Sequence, residues 1–106
     1  MIESELEKYS EEISGVLKQL AHPVRLKILC CLLEQEKKVS EIVEYTGASQ
    51  SWVSQFLLRM KLEGLVESRK ESKSVFYRIH DPRIKELLKA IQKIYCNPAK
   101  KGKSVS

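Results

Sequence analysis

Apolar residues in the first twenty positions recur at steps of three and four: Leu6, Tyr9, Ile13, Val16, Leu17 and Leu20. That period predicts an amphipathic helix over 3–20. Glutamates crowd its first turns, where the helix dipole favours negative charge. Ala21-His22-Pro23 breaks the pattern, and Pro23 suits the first position of a second helix, expected to run to about Glu34. Residues 34–38 read as a polar connection. Ser40 is the expected cap of a short third helix over 41–45, with Ile42 and Val43 on its apolar side. Gly47 suits the left-handed stop of that helix. Ser49 is the expected cap of a fourth helix running to about Glu63 and stopped by Gly64.

The period then changes. Residues 65–70 and 75–79 read as two strands, with 71–74 as the tip of a hairpin. Asp81 and Pro82 open a last helix. Ile84, Leu87, Leu88, Ile91, Ile94 and Tyr95 give it an apolar stripe, and Asn97-Pro98 ends it. The expected fold is mostly α with a two-stranded β-hairpin wing: a winged helix-turn-helix domain over 1–97, followed by a disordered basic tail over 98–106. Two short helices joined by a glycine-containing turn are the helix-turn-helix signature, and a hairpin after the second makes it winged.

Length and charge sharpen that picture. At 106 residues the chain suits one domain, and so small a core gains from being shared in a homodimer. The longest apolar run, 28–33, has six residues, whereas a bilayer span needs about 20. The acidic start is no signal peptide, so a cytoplasmic protein with reduced cysteines is expected. Net charge is +5 and unevenly spread. Over 1–20 five glutamates outweigh two lysines, whereas 59–80 has six basic residues against three acidic ones. Lys100, Lys101 and Lys103 add to the positive half. A basic patch suits a polyanion such as double-stranded DNA.

On the fourth helix, an advance of about 100° per residue gathers Val53, Phe56, Leu57 and Met60 on one side. Ser51, Ser54, Gln55 and Arg59 fall toward the other, with Gln50 at its border. Short polar side chains near a helix N-terminus reach base edges in the major groove, and Gln pairs bidentately with adenine. Trp52 lies at the edge of the exposed side, placed either to meet a thymine methyl or sugar or to cap the core. Arg69, Lys70 and Lys73 around the hairpin tip are the expected phosphate or minor-groove contacts. No nucleophile–base set, phosphate-binding glycine loop or usefully spaced carboxylate pair suggests an enzyme, and no cofactor is expected.

The segments Leu20-Ala21-His22-Pro23-Val24-Arg25-Leu26-Lys27-Ile28-Leu29, Ser49-Gln50-Ser51-Trp52-Val53-Ser54-Gln55, Gly64-Leu65-Val66 and Val75-Phe76-Tyr77-Arg78 resemble, in order, the ArsR/SmtB family. The resemblance covers about 10–96. It implies a homodimer built from the first and last helices, and repression by occupying an imperfect palindromic operator until an inducer loosens the grip. The chain departs from the family at Phe56, where His is common, and at Leu58 and Leu62, where basic or polar residues are common. Two metal sites familiar in the family lack their ligands. The start of the third helix reads Lys38-Val39-Ser40-Glu41-Ile42 without cysteine, and the last helix lacks the Asp and His pairs. His22 and His80 read as structural.

Cys30 or Cys31 on the second helix and Cys96 at the end of the last resemble the BigR/SqrR/HlyU branch, associated with sensing reactive sulfur and oxidants. By position Cys30 matches the branch cysteine, and Cys31 is an extra, accessory thiol; helical periodicity alone does not choose between them. The resemblance implies a redox-sensing pair, Cys30 and Cys96, that a persulfide or other oxidant links into a bridge. Lys27 and Arg25 are sequence neighbours expected to lower a thiol pKa. Soft-metal binding by the three thiolates is the alternative sensor chemistry. An interaction module docking through Leu58 and Leu62 is the alternative outside DNA binding.

Overall fold

The computed structural model describes residues 3–96, with side chains from Glu5 onward. The expected basic tail, the end at Asn97-Pro98 and Lys100, Lys101 and Lys103 lie outside the described residues. The elements are α1 (Glu3–Leu20), α2 (Pro23–Cys31), β1 (Lys37–Lys38), α3 (Val39–Thr46), α4 (Gln50–Leu62), β2 (Val66–Glu71), β3 (Ser74–Ile79) and α5 (Pro82–Tyr95). The sheet is antiparallel in the order β1-β3-β2.

The strands shift by one residue, so that Glu71 and Ser74 pair and the hairpin tip narrows to 72–73, and three larger differences from the sequence reading each have a tertiary reason. Helix α2 stops at Cys31 rather than near Glu34, through a tightened turn in which the Leu32 N–H donates to Ile28 and Leu29 carbonyls. Leaving the helix there lets Leu32 and Leu33 both turn inward and be buried. The connection that follows is not all loop. Lys37 and Lys38 pair with Tyr77 and Phe76, so the wing has three strands rather than two. That pairing is made by backbone groups and leaves no mark in two lysine side chains. Helix α3 begins at Val39, capped by Lys38 rather than Ser40, and the Glu41 carboxylate accepts from the Lys38 N–H at 2.9 Å.

Elsewhere local chemistry and structure agree. Gly47 (φ 74°) ends α3, and Gly64 (φ 81°) follows α4 in a left-handed stop. There the Leu65 N–H reaches the Met60 carbonyl and the Gly64 N–H the Lys61 carbonyl. Asp81 caps α5 by accepting from the Arg83 N–H at 2.9 Å. The core gathers Ile28, Leu29 and Leu32 of the α2 region, Ile42 of α3, Val53, Leu57 and Met60 of α4, Val66 and Ile79 of the sheet, and Ile84 and Leu88 of α5.

Helix α1 is the exception. Leu20 is buried and Val16 partly so, but Leu6, Tyr9, Ile13 and Leu17 stand exposed within the single chain. At the far end of α5, Ile94 and Tyr95 are exposed too. A small groove of about 210 Å³ between α1 and α5 is lined by Ile13, Val16, Leu17, Ile84 and Leu87. Arg83 spans its rim, reaching Glu12 at 3.1 Å.

Candidate nucleic-acid interface

Helix α4 is built to bury one side and present the other. Ser49 caps it, its hydroxyl accepting from the Trp52 N–H at 3.2 Å. Ser49→Ala should lower unfolding free energy by about 1 kcal/mol, the usual worth of an N-cap, read from chemical denaturation. Val53, Leu57 and Met60 are fully buried, whereas Gln50, Ser51, Ser54, Gln55 and Arg59 are exposed. The sequence-derived phase of the helix is therefore the observed one. Phe56 is intermediate. It sits 4.8 Å from the His22 ring and 5.7 Å from Trp52, whose side chain is 58% exposed. Trp52 thus lies on the outer surface with one face on Phe56, and does not close the core.

His22 is occupied structurally as well, its Nδ1 accepting from the Val24 N–H at 3.1 Å as the cap of α2. His80 contacts Glu67 at 3.0 Å on the wing. Leu58 and Leu62 are exposed, as their departure from the family pattern suggests, and line a groove of about 720 Å³ with Trp52 and Phe56.

Arg25 holds α4 against the other helices. It is buried, donates to the Gln19 carbonyl at 2.9 Å, and forks onto both Glu63 carboxylate oxygens at 2.8 and 3.1 Å. That hydrogen bonding holds Glu63 below the usual carboxylate range. Sequence reading missed the pair, because its members lie 38 positions apart.

On the wing, β2 and β3 meet at a two-residue turn, with Ser72 in the left-handed region at φ 56°. Lys70 and Lys73 are exposed, and neither has an ion-pair partner among the described residues. Arg69 is different. Glu36 and Glu71 both hold it, at 2.6 and 2.7 Å, and its guanidinium lies over the Phe76 ring.

The thiols lie on α2 and at the end of α5. Cys30 is half-buried, Cys31 buried and Cys96 exposed at the C-terminal cap of α5. Burial pushes the Cys30 thiol above its ordinary pKa, and a charge on Cys96 raises it further, so the two lie within electrostatic reach. Cys31 is also raised, mainly by burial, with Lys37 pulling the other way. Tyr45 of α3 belongs to the same cluster. Its phenol pKa is raised by burial and by the neighbouring thiols. The expected help from Arg25 and Lys27 does not reach Cys30: Arg25 is turned to Glu63, and the net shift is upward. Among the described residues of the single chain, no three His, Cys, Asp or Glu side chains group as a metal-holding set. No helix among them is long and apolar enough to cross a membrane.

A recognition-type helix, a strand-paired wing and a capped turn between α3 and α4 define a winged helix-turn-helix regulator. The model for bacterial regulatory proteins of the arsR family matches residues 22–68. The transcriptional activator HlyU of Vibrio cholerae is 38% identical over 92 residues, spanning 87% of this chain and 85% of that protein. The crystal structure of the transcriptional repressor BigR from Xylella fastidiosa superposes with a TM-score of 0.85 at 36% identity, covering 91% of this chain and 98% of that one. A homodimeric winged helix-turn-helix DNA-binding domain from Mycobacterium bovis, solved by NMR, matches with a TM-score of 0.69 at 30% identity, over 89% and 86% of the two chains. The chain belongs to the ArsR family and is a transcriptional regulator.

Proposed function

We propose that the chain works as a homodimeric repressor that holds an imperfect palindromic operator when reduced, and that a Cys30–Cys96 bridge weakens that hold. The observation carrying the DNA reading is the division of α4, with Val53, Leu57 and Met60 fully buried and Ser51, Ser54, Gln55 and Arg59 exposed. Gln50, Ser51, Trp52, Ser54, Gln55 and Arg59 face the major groove, Gln55 as the adenine reader. The exposed stripe of Leu6, Tyr9, Ile13 and Leu17 with Ile94 and Tyr95 supplies the dimer interface. Two recognition helices then sit about one DNA turn apart, roughly 34–36 Å.

The sensor chemistry follows from access and acidity. Cys96 is exposed and meets the reagent first. Its thiolate attacks the sulfane sulfur of a small-molecule persulfide, RSSH, giving Cys96–SSH and releasing RS⁻. The Cys30 thiolate then attacks the Cys96 sulfur, forming the disulfide and expelling HS⁻. The two protein thiols lose two electrons and one S–S bond of the reagent is reduced. Because Cys30 has a raised pKa, its thiolate fraction is small near neutrality and grows about tenfold per pH unit below that pKa. Bridge closure should quicken with pH through the ordinary thiol range and keep rising past it, whereas a lowered pKa would level off near neutrality. The bridge ties the end of α5 to α2, which packs on α3, and so alters the spacing of the reading helices.

The test is a mobility-shift titration with a duplex selected from a randomised pool, paired with intact-mass analysis. Reduced protein should bind with affinity falling steeply as salt rises, and persulfide should weaken it at least about tenfold, or 1.4 kcal/mol. Cys30→Ser should bind normally, stop at one extra sulfur atom on Cys96 and keep its grip. Release of the duplex by persulfide-treated Cys96→Ser would refute the bridge.

A further inference from the structure

We propose that Arg69 is a strap across the wing rather than a DNA contact, leaving the wing's phosphate contacts to Lys70 and Lys73; this rests on the operator reading above. Every guanidinium nitrogen of Arg69 is committed. Nε donates to both Glu36 oxygens at 2.7 and 2.8 Å, Nη2 to Glu36 Oε2 at 2.6 Å, and Nη1 to Glu71 Oε1 at 2.7 Å. The guanidinium carbon lies 4.8 Å from the centre of Phe76, the cross-strand partner of Arg69. The side chain therefore runs from β2, over β3, to the residue just before β1, and ties the three strands together. Two carboxylates around one guanidinium leave it no uncompensated charge to offer a phosphate.

Strand parity points the same way. Val66 and Ile79 pair on the buried side of the wing, and Ser68, two residues along β2, accepts from Lys61 Nζ of α4 at 2.8 Å. Side chains alternate along a strand, so Lys70 shares the side that faces the reading helix and Arg69 points to the other. That outer side carries the Glu67–Arg78 and Glu67–His80 pairs as well. Lys73 sits in the turn itself, where parity does not bind it. The strap thus fixes the angle of the wing while its tip carries the charge.

The number of phosphates neutralised is read from the slope of log affinity against log salt, about 0.9 per contact on duplex DNA. The probe is the duplex recovered from the randomised pool, bound by the full chain. Arg69→Ala should leave the slope unchanged, even if wing loosening lowers the affinity. Lys70→Ala and Lys73→Ala should each reduce it by about 0.9 per subunit. In a Glu36→Gln, Glu71→Gln background the guanidinium is freed. It still points to the outer side of the wing, so adding Arg69→Ala should leave the slope unchanged there too. Arg69→Lys, which keeps the charge without the fork, guards against a misfolded alanine variant and should likewise leave the slope unchanged, because the ammonium lies on the same outer side between the same two carboxylates. A slope reduced by Arg69→Ala in the otherwise natural chain would overturn the assignment alone. Failure to recover any bound duplex would instead bring down the operator reading itself.

Discussion

Arg25→Ala should destabilise the protein by about 3 kcal/mol, the lower end of the cost of breaking a buried ion pair. The lower end applies because the pair is open at one edge: the side chains are 10% and 30% exposed for Arg25 and Glu63. The substitution strips Glu63 of both its fork hydrogen bonds and the Gln19 carbonyl of its donor. It also disconnects three elements at once, since Gln19 ends α1, Arg25 begins α2 and Glu63 caps α4. Arg25→Lys keeps the charge but cannot form the fork, and should recover part of the loss. Urea denaturation of the three proteins measures this, and a loss below about 1 kcal/mol would class the pair with ordinary surface ion pairs.

The same pair gives a pH dependence of definite sign. Arg25 lowers the Glu63 pKa in the folded protein. Its stabilisation is therefore complete above the unfolded carboxylate value, about 4.3, and is lost as pH falls through the lower folded value. Glu63→Gln should flatten the acid limb of the stability curve. Functionally, the clamp joins the reading helix to α1, which supplies the proposed dimer interface. Arg25→Ala should therefore cost operator affinity at temperatures where the protein is still folded.

What was legible in the sequence follows from the range of the forces involved. The phase of α4 was readable because burial repeats with the helical period, and Ser49 and Gly64 mark its ends through hydrogen bonds to near neighbours. The cap of α3 was misplaced by two residues because Ser40 is the better capping residue by type, yet pairing of Lys37 and Lys38 with β3 fixes where the chain turns. The stripe on α1 was readable as amphipathic, but no local signal separates a face for the core from a face left exposed by one chain. Contacts between distant positions were beyond reach. Glu36 and Arg69 are 33 residues apart, so Arg69 read as a free cation. Arg25, near Cys30 in sequence, read as an activator of the thiol although its side chain faces the end of α4.

Leu57→Ala and Leu58→Ala should differ sharply although the residues are adjacent. Leu57 is fully buried at the centre of α4, and Leu58 is 59% exposed on the side toward Trp52 and Leu62. Truncating Leu57 removes apolar contacts and leaves a cavity, at a cost of about 3 kcal/mol. Truncating Leu58 should cost no more than about 0.5 kcal/mol. Position within the molecule decides the difference, since one step along a helix turns a side chain by about 100°. Calorimetry of the two variants reads it directly: Leu57→Ala should melt many degrees lower and Leu58→Ala near the natural temperature. Equal losses would mean that α4 is rotated from the orientation that turns Ser51, Ser54 and Gln55 outward. That orientation is what the proposed reading of DNA requires, because the same rotation that buries Leu57 turns Gln55 outward.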